Sequence, residues 1–444
     1  VTEGTSASVV CDRRGESPLR WLVLALAALA VLSSYYEADV IGPISDLLAT
    51  TRGLTHLEIG DLTAVISLPN IPLALLNGYL IDRFGAARVT LWAAAIGFAG
   101  AVLTAIGTPY SLMWTGRLIF GVSEGAIFIS LMAGVAQWFT RREVAVAAAL
   151  FLSLARVGSY SLDKSPSWAK PLYDIGWQPP LWLGAAITGV GLIASFIFWL
   201  IDSRIREERA HTPERPRLAW SDLWRFDRSY WYILALHVLY AAVFFPFRQT
   251  YAIMYLQHAK GLTLQQAGNV NSGVFLTAVF ATSLFGLLAD RVGHRALLLA
   301  SGTVLLPITF VILGATDLSP WISTALMGIS WSLVPAIIWP STTFLVEPRR
   351  LGTALGMIAL IQNLGLWGSN RAAGWLADVA GASVANPAGY TVMLWYFGLL
   401  SLTALASALL LWRRECGPNA HGLELVRPSA SPTVAAHSDV TLSH

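Results

Sequence analysis

The chain has 444 residues, 55% of them hydrophobic and 12% charged, with a formal net charge of +3. Soluble domains carry charge on about a quarter of their residues, so this composition excludes an ordinary soluble globular protein, and no nucleic-acid partner is expected. The two cysteines, Cys11 and Cys416, provide neither a disulfide framework nor metal-ligand spacing.

Apolar residues run in blocks of about twenty, the length at which a helix crosses ~30 Å of hydrocarbon. Stretches such as Leu22–Val31 and Val144–Leu154 lack the dyad alternation of barrel strands, so the spanning elements are helices. Residues 1–19 hold no apolar core followed by a small-residue cleavage site and read as a retained cytoplasmic segment. Predicted spans follow near 20–44, 61–81, 89–107, 111–138, 144–163 and 179–201, which make up a first half over 20–201. A polar linker over 202–228 carries Arg204, Arg206, Arg209, Arg215, Arg217 and Arg225. The second half, 229–412, has spans near 229–257, 266–289, 295–315, 320–344, 352–377 and 388–412. Residues 413–444, with Pro418, Pro428 and Pro432 among small polar residues, read as a disordered cytoplasmic tail.

Arginines fix the expected orientation. Arg13, Arg14 and Arg20, Arg83 and Arg88, Arg141 and Arg142, the central linker, Arg291 and Arg295, Arg349 and Arg350, and Arg413 and Arg414 all fall on one side. The other side holds little beyond Arg52, Lys170 and Lys260. By the positive-inside bias both termini and the linker are cytoplasmic. Lysine is confined to Lys164, Lys170 and Lys260 in a chain rich in Ala and Gly, which fits a GC-rich bacterial genome and hence the bacterial inner membrane.

An internal repeat links the halves. Gly78-Tyr-Leu-Ile-Asp82-Arg83-Phe-Gly85 reappears as Gly286-Leu-Leu-Ala-Asp290-Arg291-Val-Gly293, and Arg141-Arg142 as Arg349-Arg350, both 208 residues on. The expected fold class is an all-α membrane protein of twelve transmembrane helices in two six-helix halves, related by a parallel pseudo-two-fold repeat.

The stretch Gly78-x-x-x-Asp82-Arg83-x-Gly85-x-x-Arg88 resembles the signature of the major facilitator superfamily. Gly78 would let neighbouring helices approach. Asp82 would cap the following turn or latch the cytoplasmic side against a cation, with Asp290-Arg291 as its duplicate; the alternative is a solvated loop with topogenic arginines. A closer likeness runs through Arg117-Leu-Ile-Phe-Gly121-Val-Ser-Glu124-Gly125, Leu152-Ser-Leu-Ala-Arg156-Val-Gly158-Ser159, Tyr240 with Phe245-Pro246-Phe247, and Asn271-Ser272 with Phe285-Gly286. It continues through Trp339-Pro340, Gly352-Thr-Ala and Ile361-Gln362-Asn363-Leu-Gly365. These pieces, in this order, resemble the family of the lysosomal dipeptide carrier, major facilitator superfamily domain-containing protein one, and its bacterial relatives. The stretch from Arg117 through Trp138-Phe139 also resembles the organic-anion/proton symporters, but their arginine in span one is replaced here by Tyr35-Tyr36-Glu37-Ala38-Asp39.

Charge in mid-membrane costs several kcal/mol unless it meets a partner or a watery cavity, which singles out Glu124 and Arg156. They would clamp the ammonium and carboxylate of a zwitterion, as the resemblance implies, or pair with each other. Trp339 beside Pro340 would wall the cavity from the second half, or simply pack. Tyr35 and Asp39, with Glu37 between them, would line the cavity or gate its outer mouth. Arg248 would set a substrate preference or sit at the external rim. His237 reads as a helix-to-helix hydrogen-bonding residue, and Gln362 and Asn363 suit peptide-bond contacts. Asp163 and Lys164 read as loop structure at the external face.

The expected activity is alternating-access transport of small zwitterionic or anionic solutes, dipeptides first. A proton-coupled organic-anion symporter and a non-transporting receptor on the same fold are the alternatives. No catalytic pair, nucleotide loop or cofactor site is recognisable. The expected partners are the small solute, protons in the symport alternative, and the lipid bilayer around a monomer.

Overall fold

The computed structural model describes residues 19–140, 143–205, 226–347, 350–418 and 420–425. In chain order, α1 is Leu19–Ala38 continued by Ile41–Arg52, and α2 is His56–Ala64 continued by Ser67–Phe84. Then come α3 (Ala86–Ile106), α4 (Tyr110–Trp138), α5 (Val144–Asp163) and α6 (Gln178–Ile205). In the second half α7 is Arg228–Pro246, a π-turn Phe247–Tyr251 and Ala252–Lys260. It is followed by α8 (Leu264–Val292), α9 (Arg295–Ala315), α10 (Pro320–Leu345), α11 (Leu351–Val379) and α12 (Tyr390–Glu415). Among the described residues ten helices are long and apolar enough to cross a membrane, and the bent α2 makes eleven. The 29-residue α8 completes the set of twelve.

Several boundaries differ from expectation. Helix α1 runs to Arg52 and α2 begins at His56, while Asp202–Ile205 of the expected linker continue α6. The rest of the linker, from residue 206 to 225, lies outside the described residues, as do residues 1–18, the pair Arg141-Arg142, and Arg349. The expected disordered tail is packed as far as it is described. Leu423 is buried, its carbonyl accepts from Arg295 N at 2.9 Å, and Glu415 takes His421 N at 2.8 Å.

Prolines explain the interruptions, because each removes a donor and pushes away the carbonyl four residues back. Pro43 displaces the carbonyl of Asp39, where α1 breaks, and Pro69 that of Val65, where α2 breaks. In α7, Pro246 frees the carbonyl of Ala242, which Ser369 Oγ of α11 takes up at 2.5 Å. Freed carbonyls inside a membrane need such partners. The fully buried Arg117 serves the first two breaks at once. It donates to Glu37 O (2.7 Å), Ala38 O (2.6 Å) and Leu62 O (3.1 Å).

The repeat is written into the backbone more deeply than its arginines suggest. Gly53 and Gly261, 208 residues apart, end α1 and α7 with φ of 64° and 66°. Thr55 with Glu58 and Thr263 with Gln266 then form matching reciprocal caps at the starts of α2 and α8. Gly85 and Gly293 turn with φ of 86° and 68°. Packing follows the same symmetry: α1 meets α5 and α6, as α7 meets α11 and α12. The halves join through α2 on α11 and through α5 on α8, which the two-fold exchanges.

We call the end carrying the chain ends and the α6–α7 connection proximal, and the opposite end distal. Hydrogen bonds and ion pairs between described residues of opposite halves lie toward the distal end. Small residues bring the backbones together there. A Cβ on Gly60 would meet Asn370 O at 2.8 Å, and one on its repeat equivalent Gly268 would meet Asp163 O at 2.3 Å. At the proximal ends of α2 and α11, a Cβ on Gly78 or Gly352 would meet nothing within 4 Å. The helix approach expected at Gly78 is therefore absent in this conformation, which is closed distally.

Candidate functional site

Two opposite charges stand near mid-membrane in the first half. Glu124, in the middle of α4, accepts from Asn70 Nδ2 of α2 at 2.9 Å. Glycine permits the approach, since a Cβ on Gly125 would meet Asn70 Oδ1 at 2.5 Å. Arg156 of α5 is half-buried, with its guanidinium 5.8 Å from the ring of Tyr35, 5.7 Å from Phe275 and 5.0 Å from Trp331. Tyr35 comes from α1, whereas Phe275 and Trp331 come from α8 and α10, so the guanidinium lies where the halves meet. No hydrogen bond or salt bridge to a described residue engages it, and it is not paired with Glu124. The charges of Arg156, Glu124 and Asp39 all act on Tyr35, which places the four groups in one region.

From the second half, Trp339 is 41% exposed and stands edge-on to His237 at 5.2 Å. His237 Nε2–H donates to Gln362 Oε1 at 2.7 Å, tying α7 to α11 as a helix-to-helix bond. Gln362 is thus partly committed, and Asn363 turns its Nδ2 to Ala359 O in its own helix at 2.9 Å. The deeper Trp331 stacks on Phe244 at 4.1 Å beneath Arg156.

Asp39 and Arg248 do not open onto a cavity. Arg248, in the π-turn of α7, is 1% exposed and reaches across to two carboxylates of the first half. Its Nη1 meets Asp39 Oδ2 at 2.5 Å and its Nη2 meets Asp163 Oδ2 at 2.8 Å. Gln249 Nε2 adds a bond to Asp39 Oδ1 at 2.6 Å, and the guanidinium lies 4.2 Å from the ring of Phe275. Arg248 Nε finds no acceptor. Asp163 is therefore no loop residue: it is buried because a cation from the other half reaches it. One guanidinium between two carboxylates closes the floor beyond Arg156.

The proximal signature makes no latch here. Asp82 is exposed and bonds to no described residue, and it does not cap the next helix, whose N-cap is Gly85. Arg83 instead donates to Tyr79 OH at 2.9 Å, and Arg88 and Arg291 are exposed. The side chain of Asp290 lies outside the described residues. With the halves joined distally, these groups have nothing to close against.

Sequence reasoning passed over Asn70, Trp331 and Phe275 at the centre. Distally it missed the ion pair of Arg371 Nη1 with Asp61 Oδ1 at 2.5 Å. Arg371 lay inside an expected span, a charge whose cost should have flagged it.

The family model for the Major Facilitator Superfamily matches residues 27–369. The lysosomal dipeptide transporter MFSD1 of Danio rerio is 29% identical over 378 residues, spanning 82% of this chain and 81% of that protein. The probable sulfoacetate transporter SauU of Cupriavidus necator is 24% identical over 365 residues, spanning 76% and 83%. A crystal structure of a mutant of the nucleoside transporter NupG superposes with a TM-score of 0.72 at 13% identity, covering 88% of this chain and 99% of that one. The last shows the fold alone.

Proposed function

The chain belongs to the Major Facilitator Superfamily and is a multi-pass membrane transporter, not an enzyme, and on that premise we propose that it carries small zwitterionic solutes, dipeptides first, by alternating access. Arg156 grips the substrate carboxylate, where its planar fork gives bidentate recognition. Glu124 receives the α-ammonium, with Tyr35 between them and Trp339 facing from the other half. The observation that carries this reading is a guanidinium lodged among three rings with no carboxylate partner, in the same region as a carboxylate held only by an amide. Two membrane-embedded charges left unspent on each other are what a zwitterion site requires. The dipeptide named in the first relative supports the substrate class. The arginine bias supports cytoplasmic termini, and the lysine-poor composition a bacterial plasma membrane.

Ligand-induced thermal stabilisation of the purified protein tests the clamp. Glu124→Gln and Arg156→Ala should each weaken dipeptide binding by about ten- to a hundredfold, the worth of a charge-assisted contact of roughly 1.5–3 kcal/mol. Peptides blocked at either end should lose the same amount on the wild-type protein. Wild-type affinity in both variants would move the site elsewhere.

A proton-coupled organic-anion carrier is the second reading, favoured by the free guanidinium of Arg156 and by the relative named for sulfoacetate. There Glu124→Gln would spare anion binding and abolish only proton-driven accumulation.

A further inference from the structure

At the distal end, five side chains form a bonded chain that crosses between the halves. Asp378 Oδ1 of α11 meets His56 Nδ1 of α2 at 2.8 Å, and His56 Nε2 meets the hydroxyl of Tyr390 on α12 at 3.0 Å. The same hydroxyl meets His258 Nδ1 of α7 at 2.7 Å, and His258 Nε2 reaches Asp46 Oδ1 of α1 at 2.8 Å. Asp46 and His56 belong to the first half, and the other three to the second. Tyr390 is fully buried. Asp378 also accepts the backbone N–H groups of His56 and Leu57, at 2.8 and 2.9 Å, so it caps α2 from the opposite half as an acceptor.

The hydrogens in this chain can be counted. Its four contacts need one hydrogen each. An ionised carboxylate supplies none, a neutral imidazole one and a tyrosine hydroxyl one. With both histidines neutral only three are present, each ring spends its single N–H on its aspartate, and Tyr390 can serve only one of the two bare nitrogens. The neighbouring groups do not make up the deficit. Tyr251 and Tyr255 donate to the backbone carbonyls of Asn370 and Leu313, and Lys260 to that of Thr316. Arg371 is spent on Asp61, and Glu58 on its helix cap.

We infer that the distally closed carrier binds one extra proton in the His56–Tyr390–His258 chain, and releases it when the halves part there. Whichever ring holds it, that imidazolium donates to Tyr390 while the hydroxyl donates to the other ring, and all four contacts are made. The sign follows. Above the ordinary imidazole range of about 6.5 the parted histidines are neutral and only the closed form holds the proton, so acidification toward neutrality favours closure, and the benefit is lost as pH rises through the closed-state titration. The inference does not depend on which solute is carried.

Spin labels at Thr51→Cys and Val384→Cys, both exposed distal positions on opposite halves, report the gate by pulsed dipolar distance measurement in nanodiscs. Both native cysteines are replaced by serine. Between about pH 7 and 9, where parted imidazoles are neutral, the closed-to-open ratio of this parent should rise by up to about tenfold per unit of acidification, the slope of one linked proton. Tyr390→Phe should flatten that slope, because each remaining Asp–His contact is served by its own hydrogen. His258→Phe should do the same, since it leaves two contacts and two hydrogens. Asp61→Asn breaks the neighbouring ion pair and should shift the ratio at every pH while keeping the slope. A flat parent, a slope that survives in either aromatic variant, or one lost in Asp61→Asn overturns the inference.

Discussion

Replacing Arg248 by Met tests how the distal gate is held. The substitution keeps most of the side-chain volume but leaves the carboxylates of Asp39 and Asp163, 2% and 3% exposed, without their shared cation. Removing one partner of a buried ion pair typically costs about 3–5 kcal/mol. Gln249 still donates to Asp39, so the lower end of that range is expected. At 1.36 kcal/mol per tenfold, the closed-to-open ratio should fall by about two powers of ten or more. The labels at Thr51 and Val384 read this directly as a longer distance. Adding Asp39→Asn and Asp163→Asn to Arg248→Met removes the stranded charges and should restore most of the closed population. An Arg248→Met protein as closed as its parent would refute the account, as would a triple variant no more closed than the single one.

Two further outcomes are expected. Asp82 bonds to no described residue in this distally closed form, so Asp82→Asn should leave it intact and weaken only the opposite state. Labels at Gln137→Cys and Thr343→Cys on the proximal ends of α4 and α10 should then show a larger long-distance population, and an unchanged distribution would remove the latch. For orientation, a membrane-impermeant thiol reagent added to intact cells should label Ile175→Cys, which is 74% exposed, and spare Ser203→Cys. The reverse pattern would invert the topology.

The twelve helices were legible because their signal is local: a span of apolar residues needs no knowledge of its neighbours. So was the repeat, although Gly53-Leu-Thr55 and Gly261-Leu-Thr263 state it as plainly as the arginine pairs do. The helix breaks were legible in principle from Pro43, Pro69 and Pro246. What stayed hidden is pairing across the halves. Nothing near Asp163 announces that Arg248, 85 residues away, will bury it. Histidines at the ends of two helices look like loop residues until Tyr390 draws both to one hydroxyl. Glu124 and Arg156 stood out because charge in hydrocarbon is conspicuous by itself. Whether such charges meet each other is a matter of tertiary geometry.

The crossing of α1 and α7 also carries history. Moved by the repeat length of 208, Asp39 falls on Phe247, and Arg248 falls on Val40. Two identical halves, as in an ancestral homodimer of six-helix units, would have carried the same residue at both members of each of these equivalent positions. The confinement of the acid to one half and of the base to the other therefore arose as the two copies diverged. The ion pair that shuts this gate is thus one-sided, laid over a backbone scaffold that keeps its two-fold form.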